Sequence, residues 1–125
     1  EALGSWWRKI FPNQYGVFIR CEGPEPREFL LLFKNGKLEN YHEPDLSSLD
    51  HARSREPSEV IRYLKERYIC PIQGVFVSAQ EWKDWSNKPE PWKDVYQSIQ
   101  SNRLKFFPSK FGMQFLIFVR AKLGF

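Results

Sequence analysis

His42, Glu43, Asp45, Asp50 and His51 fall within ten residues, and Arg53 and Arg55 follow just beyond. Imidazole exchanges protons near neutral pH and a guanidinium grips phosphate oxygens in a fork, so this set holds the parts of metal-free phosphodiester cleavage. The enzyme it would make is a small metal-independent ribonuclease using His42 and His51 with Arg53 or Arg55. The same imidazoles and carboxylates are ligand types for a divalent cation. Their spacing matches no metal motif, however, and neither a metal nor a cofactor is expected. A polar loop is where solvated side chains of these types ordinarily go, and residues 42–56 read as such a loop.

Other routes to catalysis find less. Cys70 beside a histidine would be the minimum for thiol chemistry, but its neighbours Ile69 and Pro71 are apolar and no helix start follows it closely, so it reads as a packed thiol. The seven glycines form neither G-x-G-x-x-G nor a P-loop, and no G-x-S-x-G elbow or H-E-x-x-H helix occurs. Glu81-Trp82-Lys83 resembles a nuclease carboxylate set only in composition, since an i, i+2 pair on a helix diverges. An enzyme is therefore not the expectation.

Charge and rings point instead to binding. Residues 1–59 carry eight basic and ten acidic side chains, whereas residues 60–125 carry eleven and five, and no acidic residue follows Asp94. This stretch holds Arg103, Lys105, Lys110, Arg120 and Lys122, interleaved with Phe106, Phe107, Phe111, Phe115, Phe118 and Phe125. One-signed fields attract polyanions, and cations alternating with rings suit single-stranded nucleic acid, where bases stack on aromatic side chains. Nucleic acid is thus the leading partner expected, through those five cations. Two reservations attach. The glycine-rich aromatic octamer of the RNA-recognition motif is absent, and Phe115 and Phe118, if on a strand, point to opposite faces.

The second binding reading rests on tryptophan. Trp82, Trp85 and Trp92 fall within eleven residues, broken by Lys88-Pro89-Glu90-Pro91, and Trp82 and Trp85 share one helix face. Large rings usually pack inside. Rings exposed beside prolines would anchor a protein partner, so Trp6, Trp7, Trp85 and Trp92 are the candidate anchors of a protein-interaction module.

These side chains need elements to position them. Trp6, Trp7, Ile10 and Phe11 fit one or two helical turns before Pro12. Tyr15–Cys21 and Glu28–Phe33 read as strands, separated by a turn rich in Gly and Pro. Asn35-Gly36 is the strongest local signal, because a type I′ hairpin needs two positive φ angles, and it predicts a third strand over Lys37–Tyr41. Pro57 suits the first turn of a helix running to Tyr68, where Pro71 bars continuation. Ile72–Val77 reads as a strand. Ser78 with Glu81 three residues on reads as a capping box opening the next helix. Helical spacing resumes at Trp92, Val95, Tyr96 and Ile99. Arg103–Phe107 and Met113–Ala121 complete the pattern as two strands.

Consecutive strands joined by short turns predict an α+β fold, an antiparallel or mixed sheet of about five to six strands with two to three helices packed on one face. With 125 residues, 42% hydrophobic, 27% charged and 17% aromatic, the chain suits a single globular domain over residues 1–125, not a disordered or fibrous one. Its start at Glu1 without Met leaves room for a longer protein with neighbouring domains. No run approaches the ~20 apolar residues of a membrane span. The opening residues lack the basic start and apolar stretch of a secretory signal. Cys21 and Cys70 form no C-x-x-C pair and read as reduced thiols. An intracellular, cytoplasmic or nuclear setting is the matching expectation.

Overall fold

The computed structural model describes residues 13–124. The strands are β1 (Gln14–Glu22), β2 (Arg27–Lys34), β3 (Lys37–His42), β4 (Ile72–Ser78) and β5 (Lys105–Phe107). The helices are α1 (His51–Arg55), α2 (Pro57–Tyr68), α3 (Ala79–Ser86), α4 (Trp92–Gln100) and α5 (Ser109–Lys122). The expected helical turns around Trp6–Phe11 lie outside the described residues.

The strands form one mixed sheet in the order β3-β2-β1-β4-β5. β1 and β2 pair antiparallel, with Phe18 opposite Leu30. The hairpin to β3 closes on Asn35 at φ 53 and Gly36 at φ 78, the two positive angles its turn requires. β4 lies parallel to β1, with Phe18 opposite Gly74. A parallel pair needs a crossover, which the segment carrying α1 and α2 supplies. β5 then adds antiparallel to β4, with Val75 opposite Phe106.

Alternation along the strands divides the core into two clusters. Phe18, Leu30, Ile72 and Phe76 point to one face and pack with Val60, Ile61 and Leu64 of α2. Tyr15, Cys21, Val75 and Val77 point to the other and pack with Val95, Leu104, Phe111 and Val119. The α+β class and the mixed sheet agree with the sequence reading. Three helices, α3 to α5, cover one face as expected of the helical layer, and α1 and α2 also cover the opposite face.

Local signals explain most boundaries. Asp50 caps α1 by accepting the Arg53 amide at 2.8 Å, so the expected loop over residues 42–56 contains a short helix and begins with His42 still in β3. Pro57 occupies the first turn of α2, and Ile69 closes that helix in the left-handed region at φ 52. The Ser78 hydroxyl accepts the Glu81 amide at 3.1 Å and opens α3.

One expectation is overturned. Met113–Ala121, read as a strand, belongs to α5. Its run Phe-Leu-Ile-Phe-Val is apolar at every position, and such a run has no period by which strand and helix differ. The pattern that decides lies further out: Phe111, Phe115, Phe118 and Val119 recur at i, i+4, i+7 and i+8, a helical stripe. The Arg103–Phe107 strand is correspondingly short, three residues from Lys105. Gly112 lets α5 approach β5, because a Cβ there would stand 2.9 Å from the Phe106 ring. Among the described residues no helix is long and apolar enough to cross a membrane.

Candidate functional site

Among the described residues, those on the sheet face covered by α3, α4 and α5 leave a recess that opens to solvent. A cavity of about 520 Å³ lies there. Its floor is Tyr15, Val17 and Ile19 of β1, Leu31 and Phe33 of β2, and Val75 of β4. Trp82 and Trp85 of α3 form one wall, Trp92 and Val95 of α4 a second, and Phe111, Phe115 and Phe118 of α5 a third. Carbon makes up almost all of this lining, and Tyr15 is the only titratable side chain among the described residues that contribute to it.

Ring geometry fixes the walls. The Trp92 and Phe118 rings meet edge to face with centroids 5.5 Å apart at 85°, and Phe115 lies 6.0 Å from Phe118. At the floor, Tyr15 stacks on Phe33 at 4.8 Å. Trp82 is 6.3 Å from Phe29 and is still 36% exposed, which puts it at the rim. Edge-to-face and offset contacts of this kind suit the quadrupole of each ring.

Polar ties outside the cavity hold the two tryptophan helices together. Ser98, 2% exposed, donates its hydroxyl to Glu81 Oε2 at 2.6 Å, and Arg103 Nε stands 3.8 Å from Glu81 Oε1. The Glu81 carboxylate thus joins α3 to α4. The reciprocal half of the expected capping box, from Glu81 back to Ser78, is replaced by this contact. Lys88 pairs with Asp94 across the proline-containing turn between the same helices.

No protein-family model, curated protein or solved structure matches this chain.

The residues singled out in the sequence are distributed as follows. Trp85 and Trp92 stand half-buried in the cavity walls. Trp6 and Trp7 lie outside the described residues, as does Phe125. Arg103 is engaged by Glu81, and Lys105 borders a separate hollow that also includes Arg20, Arg55, Glu22 and Glu28. Lys110 begins α5 while Arg120 and Lys122 end it, two residues apart and therefore on different sides of the helix. Lys122 Nζ sits 5.5 Å above the Phe118 ring. Phe115 and Phe118, expected on opposite faces of a strand, share one face of α5.

Of the histidine and arginine set, His42 and Arg53 are held at opposite ends of α2. His42 Nε2 is 2.7 Å from the Tyr68 hydroxyl at the C-terminal end of α2. Arg53 instead holds Glu59, in the first turn of α2, through Nη2 at 2.9 Å. Those two ends of the helix are about 13 Å apart along its axis. The Arg53 hydrogen bond keeps the Glu59 carboxyl below the usual glutamate range. Arg55 is exposed on α1, and the His51 side chain lies outside the described set. Among the described residues no group of three His, Cys, Asp or Glu is placed to hold a metal ion. Burial raises both thiols, Cys21 and Cys70, above the usual cysteine range, and both are free.

Sequence reasoning named Trp85 and Trp92 but missed the floor and the α5 wall. The usable signal for the wall was the stripe Phe111, Phe115, Phe118, hidden by the strand reading. For the floor it was the odd-numbered face of β1, Tyr15-Val17-Ile19, which alternation alone separates from Phe18.

Proposed function

We propose that this domain is a non-catalytic binding module that takes a small apolar ligand into the aromatic cavity between the sheet and α3 to α5. The observation that carries the reading is the cavity itself, about 520 Å³ walled by carbon. Sites that take small ligands span roughly 300–1,000 Å³ and are mostly apolar. A well-packed interior ordinarily has few voids larger than a water molecule. A recess of this size with an almost wholly carbon lining, where the hollow of about 920 Å³ on the other sheet face is partly polar, supports a role in accommodation.

The two binding readings drawn from the sequence find less support. The tryptophans Trp85 and Trp92 form the sides of a recess, whereas anchors for a protein partner would project from the surface. The five cations proposed for nucleic acid are spread over a loop, β5 and both ends of α5, and of the rings between them Phe111, Phe115 and Phe118 line the cavity, while Phe106 and Phe107 border the separate hollow beside Lys105. Two free thiols, Cys21 and Cys70, support an intracellular setting, where thiols stay reduced.

Titration with primary alkanols from hexanol to decanol, followed by tryptophan emission, tests the reading. Each added methylene that enters the cavity contributes about 0.8 kcal/mol, so affinity should rise up to about fourfold per carbon until the space is full. Emission that stays unchanged throughout the series, or affinity independent of chain length, would overturn it.

A further inference from the structure

The cavity has one charged neighbour whose position says more about its ligand. Lys122, exposed in the last turn of α5, carries its ammonium 5.5 Å from the Phe118 ring centroid, and Phe118 is one of the residues that line the cavity. The helix α5 carries Lys110, Arg120 and Lys122 and no carboxylate, and no acidic side chain occurs after Asp94. The acidic side chains on the facing helices are already engaged: Glu81 by Ser98 and Arg103, Asp84 by Gln80, and Asp94 by Lys88. In the last turn of α5 the carbonyls of Val119, Arg120 and Ala121, which would repel an anion, accept from the amides of Leu123 and Gly124. An apolar interior with an ammonium beside one of its lining rings is complementary to a molecule with a hydrocarbon body and a negative end.

We propose that the ligand is a free long-chain carboxylate, its chain among the rings of the cavity and its head group on Lys122. This rests on the apolar-ligand reading above and specifies the chemistry of that same site. The acid-free C-terminal stretch then has a local purpose, to present a cation at the mouth of a space lined by its own phenylalanines.

The test compares decanoate, decanol and decyltrimethylammonium on the wild-type chain and on Lys122→Met, which keeps the aliphatic stem and removes the charge. Decanoate should bind the wild type about fivefold more tightly than decanol, the size expected of an ion pair at a solvent-facing rim. That advantage should shrink as salt is added, decyltrimethylammonium should bind most weakly, and Lys122→Met should bring decanoate down to decanol while leaving decanol unchanged. If decanol binds wild type as tightly as decanoate, or Lys122→Met leaves the ratio intact, the head-group assignment fails and the apolar-ligand reading stands. If neither decanoate nor decanol binds, both fail together. A Lys122→Met chain that lost decanol as well would have lost the cavity, and Lys122→Arg, which keeps the charge, must then restore the carboxylate preference or the assignment is overturned.

Discussion

Glu81 occupies the position of a helix-capping carboxylate, yet its oxygens serve a longer-range purpose. Oε2 accepts from Ser98 at 2.6 Å, and Ser98 is 2% exposed, so water has little access to replace that donor. A hydrogen bond to a charged group contributes about 1.5–3 kcal/mol, and half-burial of the carboxylate with Arg103 nearby moves this case to the low end. Ser98→Ala is therefore expected to lower unfolding free energy by about 1.5 kcal/mol in urea titration. A loss below about 0.5 kcal/mol, typical of an ordinary surface change, would show that Glu81 does not join α3 to α4. This bond also marks a limit on what sequence can tell at the residue scale. Ser78-x-x-Glu81 contains everything needed to infer the amide cap, which is present. Nothing local announces that the Glu81 side chain will be drawn to a serine seventeen residues away.

Among the elements, α2 and α5 differ in how their ends and faces are specified. The stripe Val60-Ile61-Leu64 and the stops Pro57 and Pro71 make α2 legible, and its boundaries in the structure follow them. Even so, its last turn carries a cost: Ile69 is β-branched, stands at φ 52 and is 86% exposed, so no packing offsets the unfavourable backbone. Glycine meets no Cβ penalty at such a cap. Ile69→Gly should raise stability by about 1 kcal/mol, read as a higher midpoint in thermal or urea unfolding. An unchanged or lower midpoint would mean that Ile69 contributes a contact its exposure hides. For α5 the difficulty is reversed. The apolar run Phe115–Val119 satisfies a buried strand and a buried helix alike, and the turn-forming Pro108-Ser109 before it suits a hairpin as well as a helix start. Which one forms depends on what faces it. With β5 already at the sheet edge and Gly112 allowing close approach to Phe106, a helix laid across the sheet buries Phe111 and Val119 together. The cavity wall was illegible for that reason: misreading one element scattered three rings that belong to one face.

For the whole molecule, one sheet separates two layers of unequal quality. On the α2 side Phe18, Leu30, Val60, Ile61 and Leu64 are at most 1% exposed, and the hollow beside them is partly polar, with Arg20, Glu28 and Arg55 in its lining. On the α3 to α5 side the same sheet supports the open cavity, with α3 burying no residue fully. Space that is neither packed nor wetted by polar groups forfeits dispersion contacts and so lowers stability. Retaining such space gives up stability, a common trade between function and stability, and under the proposed reading a bound ligand restores it. Val17 tests this because its half-buried side chain is on the cavity floor, packed against the core cluster and lining the open space. Enlarging a residue normally strains a close-packed interior and costs about 1–3 kcal/mol. Here the added ring meets open space lined by other rings, so Val17→Phe should stabilise the free protein by about 1 kcal/mol, a rise of roughly 4 °C in Tm. The same variant should weaken decanol at least tenfold in the tryptophan titration, since the ring occupies the volume the chain would enter. A stabilised chain that no longer binds ties the cavity to the ligand. A destabilised one would mean that the floor is already packed, and the space between sheet and helices would then lose its claim to be a site.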